Sequence, residues 1–264
     1  MSMEEARCSN GPFPMPCVAG ECPDQRCFGV RAMRKLLCLA LVLFGVPLAA
    51  EERTAILYDV HLIGAKIGEI TIVGQQANGQ YVARSQFKTT GIVSALKQMH
   101  GDVSVNGRVS ADDHTPGHYS ETINDGRRFT DVKVRFGGSE PRLLSGDPDS
   151  SAPPADTSTL RNALDPLTAL YLILRDQPQD GLCRFKRDIY DGHRHARLLL
   201  GSPRKGKQRV TCSGEYRRLE GYSKSEKKER NIPFTVLYTQ DAEAMSATRI
   251  DIKTKYGKAI LLRR

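Results

Sequence analysis

The residues able to do chemistry are few, and most of them fall in the last third of the chain. His193 and His195 alternate in "DGHRHARL", so on a strand both imidazoles project from one face. That spacing suits two ligands of a metal, but a catalytic zinc site takes three protein ligands and a structural one four. Only Asp191, at the turn, lies near enough in sequence to add to them, and a polar strand face is the plainer reading. Cys212 and His195 are the other pair to weigh, as potential cross-strand neighbours in the arrangement of a nucleophile and its base. A reactive cysteine needs an activated thiolate and a substrate cleft. Nothing around Cys212 announces one, and a half-buried structural cysteine explains it. His114 and His118 flank Pro116-Gly117, which breaks the helical spacing that would make such a pair useful. HExxH, GxSxG and Gly-rich phosphate loops are absent. The sequence assigns no catalytic residue, no metal and no cofactor.

The chain has 264 residues and seven cysteines. Cys8, Cys17, Cys22 and Cys27 lie within residues 1–32, at spacings of nine, five and five, unlike the tight Cys-x-x-Cys pairs of zinc sites. The stretch "MRKLLCLALVLFGVPLAA", residues 33–50, has the order of a secretory signal. Arg34 and Lys35 form the positive region, and Leu36 to Val46 an apolar run too short to span a bilayer. Pro47 then breaks the helix, and Ala49-Ala50 offer a cleavage point. With cleavage after Ala50, Leu48 at position −3 is bulkier than usual. Cys38 lies too early to be a lipidation site. Residues 1–32 then read as a mis-annotated or disordered extension, with translation starting at Met33. The mature product, residues 51–264, is expected in the periplasm and not anchored to a membrane.

Residues 51–264 carry 34 Lys and Arg against 26 Asp and Glu, a net charge of +8. Such a surface favours anionic partners. For an exported protein these are lipid phosphates and anionic envelope polymers, not nucleic acid. The cations are also spread along the chain, without the aromatic interleaving of single-strand binders. Two basic stretches, Pro203–Arg209 and Lys224–Asn231, read as solvated loops of one half of the chain. No apolar run after residue 50 is long enough to cross a membrane, and Trp is absent.

What must position these residues is a run of strands. In "TAILYDVHLIGAKIGEITIVG" a period of two puts Ile56, Tyr58, Val60 and Leu62 on one face, with Asp59 and His61 on the other. Gly64-Ala65-Lys66 reads as the turn, with Ile70 and Ile72 on the next strand. Further strands follow, separated by an apolar segment, Ile92 to Leu96, that reads as one helical turn. Asn124-Asp125-Gly126 marks the clearest hairpin, since these residues tolerate positive φ. Turn signals every eight to twelve residues predict a mainly β protein, an antiparallel meander.

Gly137 to Leu160 is rich in Gly, Ser, Pro and Asp and is read as a flexible insertion without regular structure. Its one apolar pair, Leu143-Leu144, would serve if the segment were a lid. A helix comes next: Asp165 can cap it, Pro166 suits its first position, and Leu167, Leu170, Tyr171 and Leu174 share the face that meets the sheet. It should end at about Arg175, before Gln177-Pro178. Cys183 and Cys212 are the candidate disulfide, even in number and in an oxidising compartment. Strand geometry argues the other way. A two-residue turn at Asp191-Gly192 sets Cys183 opposite about Leu200, and the following turn brings Lys207, not Cys212, to that level. The pairing stays open.

Laid out in this order, several stretches resemble the domain-of-unknown-function-3108 family of exported bacterial proteins. They are "YDVHLIGAKIGE" from Tyr58, "KTTGIVSAL" from Lys88, "DPLTALYLILR" from Asp165, "YDGHRHARL" from Tyr190, "CSGEYRRLEGYS" from Cys212 and "TRIDIKTKYGKAILLR" near the end. The resemblance covers about residues 54–264. It implies export in a Gram-negative envelope and a curved, open half-barrel with one main helix packed on it, similar to the Lol-type lipoprotein carriers. It implies no catalytic residues. Two functions then stand side by side. One is a non-enzymatic binding module for a lipid or other apolar ligand with an anionic head, its pocket lined by Tyr58, Leu170, Tyr171 and Leu174. The other is a structural or assembly factor of the envelope that acts through protein contacts.

Overall fold

The alternating pattern becomes thirteen strands and three short helices in a computed structural model that describes residues 52–96, 98–111, 113–146 and 151–264. Residues 1–32 and 33–50, read from the sequence as an extension and an export signal, lie outside the described residues. The first arm of the sheet is β1 (Glu52–Leu62), β2 (Ala65–Ala77), β3 (Gln80–Thr89), β4 (His100–Ser110), β5 (Asp113–Asn124), β6 (Phe129–Arg135) and β7 (Arg142–Ser145). The second is β8 (Phe185–Tyr190), β9 (His195–Lys205), β10 (Arg209–Glu220), β11 (Asn231–Asp241), β12 (Ala244–Thr254) and β13 (Gly257–Arg263). Helix α1 (Gly91–Leu96) follows β3, α2 (Pro166–Leu174) joins the arms, and α3 (Lys224–Lys227) lies in the β10–β11 loop. All pairings are antiparallel, and the spatial order is β7-β6-β5-β4-β3-β2-β1-β13-β12-β11-β10-β9-β8. The expected meander is therefore two meanders joined where β1 pairs with β13, Tyr58 opposite Arg263.

This order explains the helix. The chain leaves the sheet at one edge, β7, and re-enters at the other, β8, so the connection crosses the concave face and carries α2 with it. Asp165 caps α2: its Oδ1 accepts from the Thr168 N–H at 2.9 Å, and Pro166 opens the first turn. Leu167, Tyr171 and Leu174 are buried on its inward side, burial that contributes roughly 1.5–3 kcal/mol per large side chain. Facing them are Ile56, Tyr58, Ile72, Val105, Val236 and Ile250 from the inward positions of five strands.

The sheet stays open, but its two ends approach each other. The β8–β9 turn sits on the first arm: a Cβ added at Gly192 would stand 2.9 Å from a Val132 methyl and 3.2 Å from one of Leu143. Arg187 of β8 pairs with Asp113 of β5 at 3.4 Å, and the rings of Phe136 and Tyr190 meet edge to face. Residues 151–164 lie along this seam. Ala155 and Leu160 are buried there, and the Ala155 N–H donates to the His193 carbonyl at 2.9 Å.

Several local expectations change in register. The first turn is Ile63-Gly64, not Gly64 to Lys66, because Leu62 pairs with Ala65. The segment from Gly137 to Leu160 is not without regular structure. Arg142–Ser145 pair with β6 as the edge strand β7, and Thr157 donates to Glu140 at 3.0 Å. The composition of that segment concealed four residues of strand and three buried apolar anchors, Ala155, Leu160 and the neighbouring Phe136.

A candidate apolar cleft beneath the helix

Between α2 and the second arm lies a cleft of about 330 Å³. The helix contributes Pro166, Ala169, Leu170, Ile173 and Leu174; the sheet contributes side chains such as Leu198, Tyr216, Phe234, Ile250 and Ile252. The alternation of the strands places all of these on the concave side. The cleft has a direction. Leu174, Val236 and Ile250 are buried at its floor, whereas Leu170, Tyr216, Ile232, Phe234 and Ile252 are half-buried. Those sheet residues lie toward the β10–β11 and β12–β13 turns, so the cleft opens at that end. Phe234 makes room by lying over Gly214, where a Cβ would stand 2.3 Å from its ring.

Of the four residues expected to line a pocket, Leu170 and Leu174 do. Tyr58 and Tyr171 do not; both are fully buried in the core with their hydroxyls engaged. Tyr58 donates to the Ala247 carbonyl at 2.6 Å, and burial pushes its phenol well up. The Tyr171 hydroxyl accepts from Gln76 Nε2 at 3.2 Å, and the Gln76 Oε1 lies 3.1 Å from His114 Nε2. Sequence reasoning missed Tyr216, Ile232, Phe234 and Ile252. Their signal was present, alternating apolar residues in the second arm, but alternation does not tell which inward side chains the helix leaves uncovered.

The wall at Tyr216 is stiffened by polar contacts. Its hydroxyl lies 2.8 Å from that of Tyr222, over whose ring the Arg194 and Arg218 guanidiniums lie 5.7 and 5.5 Å from the centroid. Arg218 also donates to the Glu226 carbonyl at 2.8 Å, holding α3 and its capping box in place. Burial pushes both phenols up, so they stay protonated and able to donate.

The histidine and cysteine pairs do not come together as the sequence allowed. His193 lies in the β8–β9 turn and His195 on β9, so they do not share a strand face. His195 Nε2 is 3.0 Å from Asp188 Oδ1, which also accepts from Arg197 Nε at 2.9 Å. Among the described residues no group of three His, Cys, Asp or Glu side chains is placed to hold a metal. Cys212 is not a nucleophile beside His195, because it forms a disulfide with Cys183, Cα to Cα 5.2 Å. The geometric objection failed at the hairpin turns. Tyr190 pairs with His195, so the first turn spans Asp191–Arg194. Lys205 pairs with Val210 around Gly206–Arg209, which sets Leu200 opposite Gly214 instead of Lys207. A bulge at Cys212 and a positive φ of 59° at Cys183 complete the approach.

A larger, polar cavity of about 720 Å³ opens at the seam between Asp113, Glu140, Arg161, Lys186, Arg187 and Arg197. Opposite charges pair in its walls, Arg187 with Asp113 across the seam and Arg197 with Asp188 on neighbouring strands at 2.9 Å, so it presents no strong field of either sign.

The model of the family described as "Protein of unknown function (DUF3108)" matches residues 57–262. The chain belongs to this family. The match spans both arms of the sheet and the helix between them, so the cleft of this DUF3108 protein is formed wholly by matched residues. No curated protein matches. Among solved structures, the crystal structure of a β-barrel-like protein of the DUF1849 family from Brucella abortus is similar at 10% identity and a TM-score of 0.46, covering 83% of this chain and 97% of that one. No helix among the described residues is long and apolar enough to cross a membrane.

Proposed function

We propose that this DUF3108 protein is a non-enzymatic binding protein of the periplasm whose cleft takes the apolar chain of a lipid. One observation carries the reading: the cleft is lined by aliphatic and aromatic side chains from α2 and the concave sheet, opens at one end, and has the size of a small-ligand site, which runs from roughly 300 to 1,000 Å³. The net positive charge supports a ligand with an anionic head. Export through residues 33–50 is supported by the order of that stretch, and the Cys183–Cys212 disulfide accords with an oxidising compartment.

Mass spectrometry of organic extracts of the purified protein tests the ligand. A stoichiometric lipid supports the binding reading. A clean extract together with a stably co-purifying envelope protein would replace it with the assembly role. N-terminal sequencing tests export separately: the periplasmic product should begin at about Glu51, and an intact Met1 would refute cleavage.

A further inference from the structure

The three most exposed large apolar side chains among the described residues are Ile63 (75%), Phe129 (68%) and Tyr256 (67%). They belong to three different hairpins, and the register puts all three at one end of the sheet. Phe129 pairs with Asn124, Asn124 with His100, His100 with Lys88, Lys88 with Glu69 and Glu69 with Asp59, four residues from Ile63. Across the β1–β13 joint the two tips touch: the Ile63 N–H donates to the Lys258 carbonyl at 3.2 Å, and a Cβ on Gly257 would stand 2.9 Å from the Ile63 side chain. This is the end at which the cleft opens, since Phe234 and Ile252 at its mouth are level with Ala259 and Leu62.

Ile63 is a poor residue for its place by every folding criterion. It sits at φ 51°, in the left-handed region that β-branched side chains avoid, and Gly64 follows at φ 85°. A two-residue turn of this type favours Asn-Gly. The β2–β3 turn at the opposite end of the sheet uses that pair, Asn78-Gly79, at φ 52° and 72°. The strained position therefore carries an aliphatic side chain that contributes nothing to the core. Cations lie beside the tips. Arg127 precedes Phe129 by two residues, Lys255 Nζ lies 4.9 Å from the Tyr256 ring, Lys253 is exposed nearby, and Lys258 shares Asp251 with Arg249.

From these observations we infer that the Ile63, Phe129 and Tyr256 tips dock the protein on an anionic lipid bilayer, with the cleft mouth facing the membrane. An aliphatic residue and an aromatic ring on turns, with a second ring at the strand residue that follows a turn, match the bilayer interface, where aromatic residues settle at the headgroup level. Lysines near the surface add attraction to anionic headgroups, about fivefold in partition for each one. A protein partner would need a contiguous apolar face, whereas Phe129 stands several strands away from the adjoining Ile63 and Tyr256 tips. The inference extends the lipid-binding reading, but it does not depend on a ligand in the cleft.

The absence of Trp makes the test direct. Single tryptophans replace Ile63, Phe129 or Tyr256 in the full chain, with Val73→Trp on the outer face of β2 as the control. Each is mixed with vesicles of phosphatidylglycerol and phosphatidylcholine, and with phosphatidylcholine vesicles alone. The expected result is a blue-shifted emission, quenched by brominated lipid, at all three tips on anionic vesicles and not at Val73. Substituting Lys253 and Lys255 by Gln should lower the partition by about twenty-five-fold. Thermal melting of each variant verifies the fold, and Tyr256→Trp, at an unstrained position, stands in if Ile63→Trp melts early. No shift at the tips, or an equal shift at Val73, overturns docking. Uptake of a fluorescent fatty acid, read without vesicles, reports the cleft by itself, so the two readings can fail separately.

Discussion

The ring of Tyr171, on the inward face of α2, lies against the bare Cα of Gly74 on β2, so close that a methyl group on the glycine would stand 2.3 Å from a ring carbon. The contact sets the height of the helix above the sheet. Gly74→Ala should therefore lift or tilt α2 and lower stability by about 1–3 kcal/mol, the usual cost of overpacking a core. Chemical denaturation measures it, and an unchanged midpoint would mean that the ring can slide aside.

The same substitution at Gly214 should have a different effect. Its added methyl meets the Phe234 ring, but Phe234 is half-buried and borders the cleft, so the ring can swing into open space. Gly214→Ala is expected to reduce uptake of a fluorescent fatty acid severalfold with a smaller loss of stability than Gly74→Ala. Uptake equal to that of the parent would place the ligand elsewhere.

The disulfide joins residues 29 apart and ties the segment entering β8, at the edge of the sheet, to β10. Replacing both Cys183 and Cys212 by Ala should cost about 2–4 kcal/mol, by the loop-closure argument for a ring of this size. Melting of the parent with and without a reductant should reproduce the loss. An identical melting temperature under both conditions would show that the β8 edge is held by its other contacts.

Asp165 is fully buried, and burial pushes its carboxyl from the ordinary 3.8 up to about 6, while hydrogen bonds from Thr168 pull it down. A folded pKa above the unfolded one contributes stability that is present below about pH 4 and lost as the pH rises through about 6. Asp165→Asn keeps an acceptor for the Thr168 N–H and removes the charge. The variant should equal the parent near pH 4 and exceed it at pH 8, by up to about 3 kcal/mol. Denaturation at the two pH values decides it; an equal loss at both would mean that the carboxylate itself is needed as the cap.

Replacing Gly138 to Ser158 by a short Gly-Ser linker should lower the melting temperature. The excised stretch includes β7, buried Ala155, and the Asp156 N–H that donates to Glu220 across the seam at 3.0 Å. Its composition alone argues for little effect, since flexible loops change stability only slowly with length. Unchanged melting would return the segment to the status of a loose connection.

Local signals carried the strands and the helix. Asp165, Pro166 and the Leu167–Leu174 periodicity delimit α2 because a cap, a fixed φ and a period of 3.6 act within a few residues of each other. The Asn124-Asp125-Gly126 hairpin is legible for the same reason: the Asp125 carboxylate bonds the Arg127 and Arg128 N–H groups at 2.9 Å, all inside one turn. The basic charge and the missing catalytic motifs were likewise open to view. What only the tertiary structure decided depends on register summed over several strands. Cys183 meets Cys212 because two turns each fall later than the sequence reading placed them, and a displacement that accumulates from hairpin to hairpin leaves no mark on any one of them. Tyr58 and Tyr171 looked like pocket residues and are core, while Phe234 and Ile252 line the cleft. Periodicity selects the face of a strand, but the helix, crossing that face from edge to edge, decides which part of it remains uncovered. The gathering of Ile63, Phe129 and Tyr256 at one end has the same origin: residues distant in the chain share a surface only once the two arms of the sheet are joined at β1 and β13.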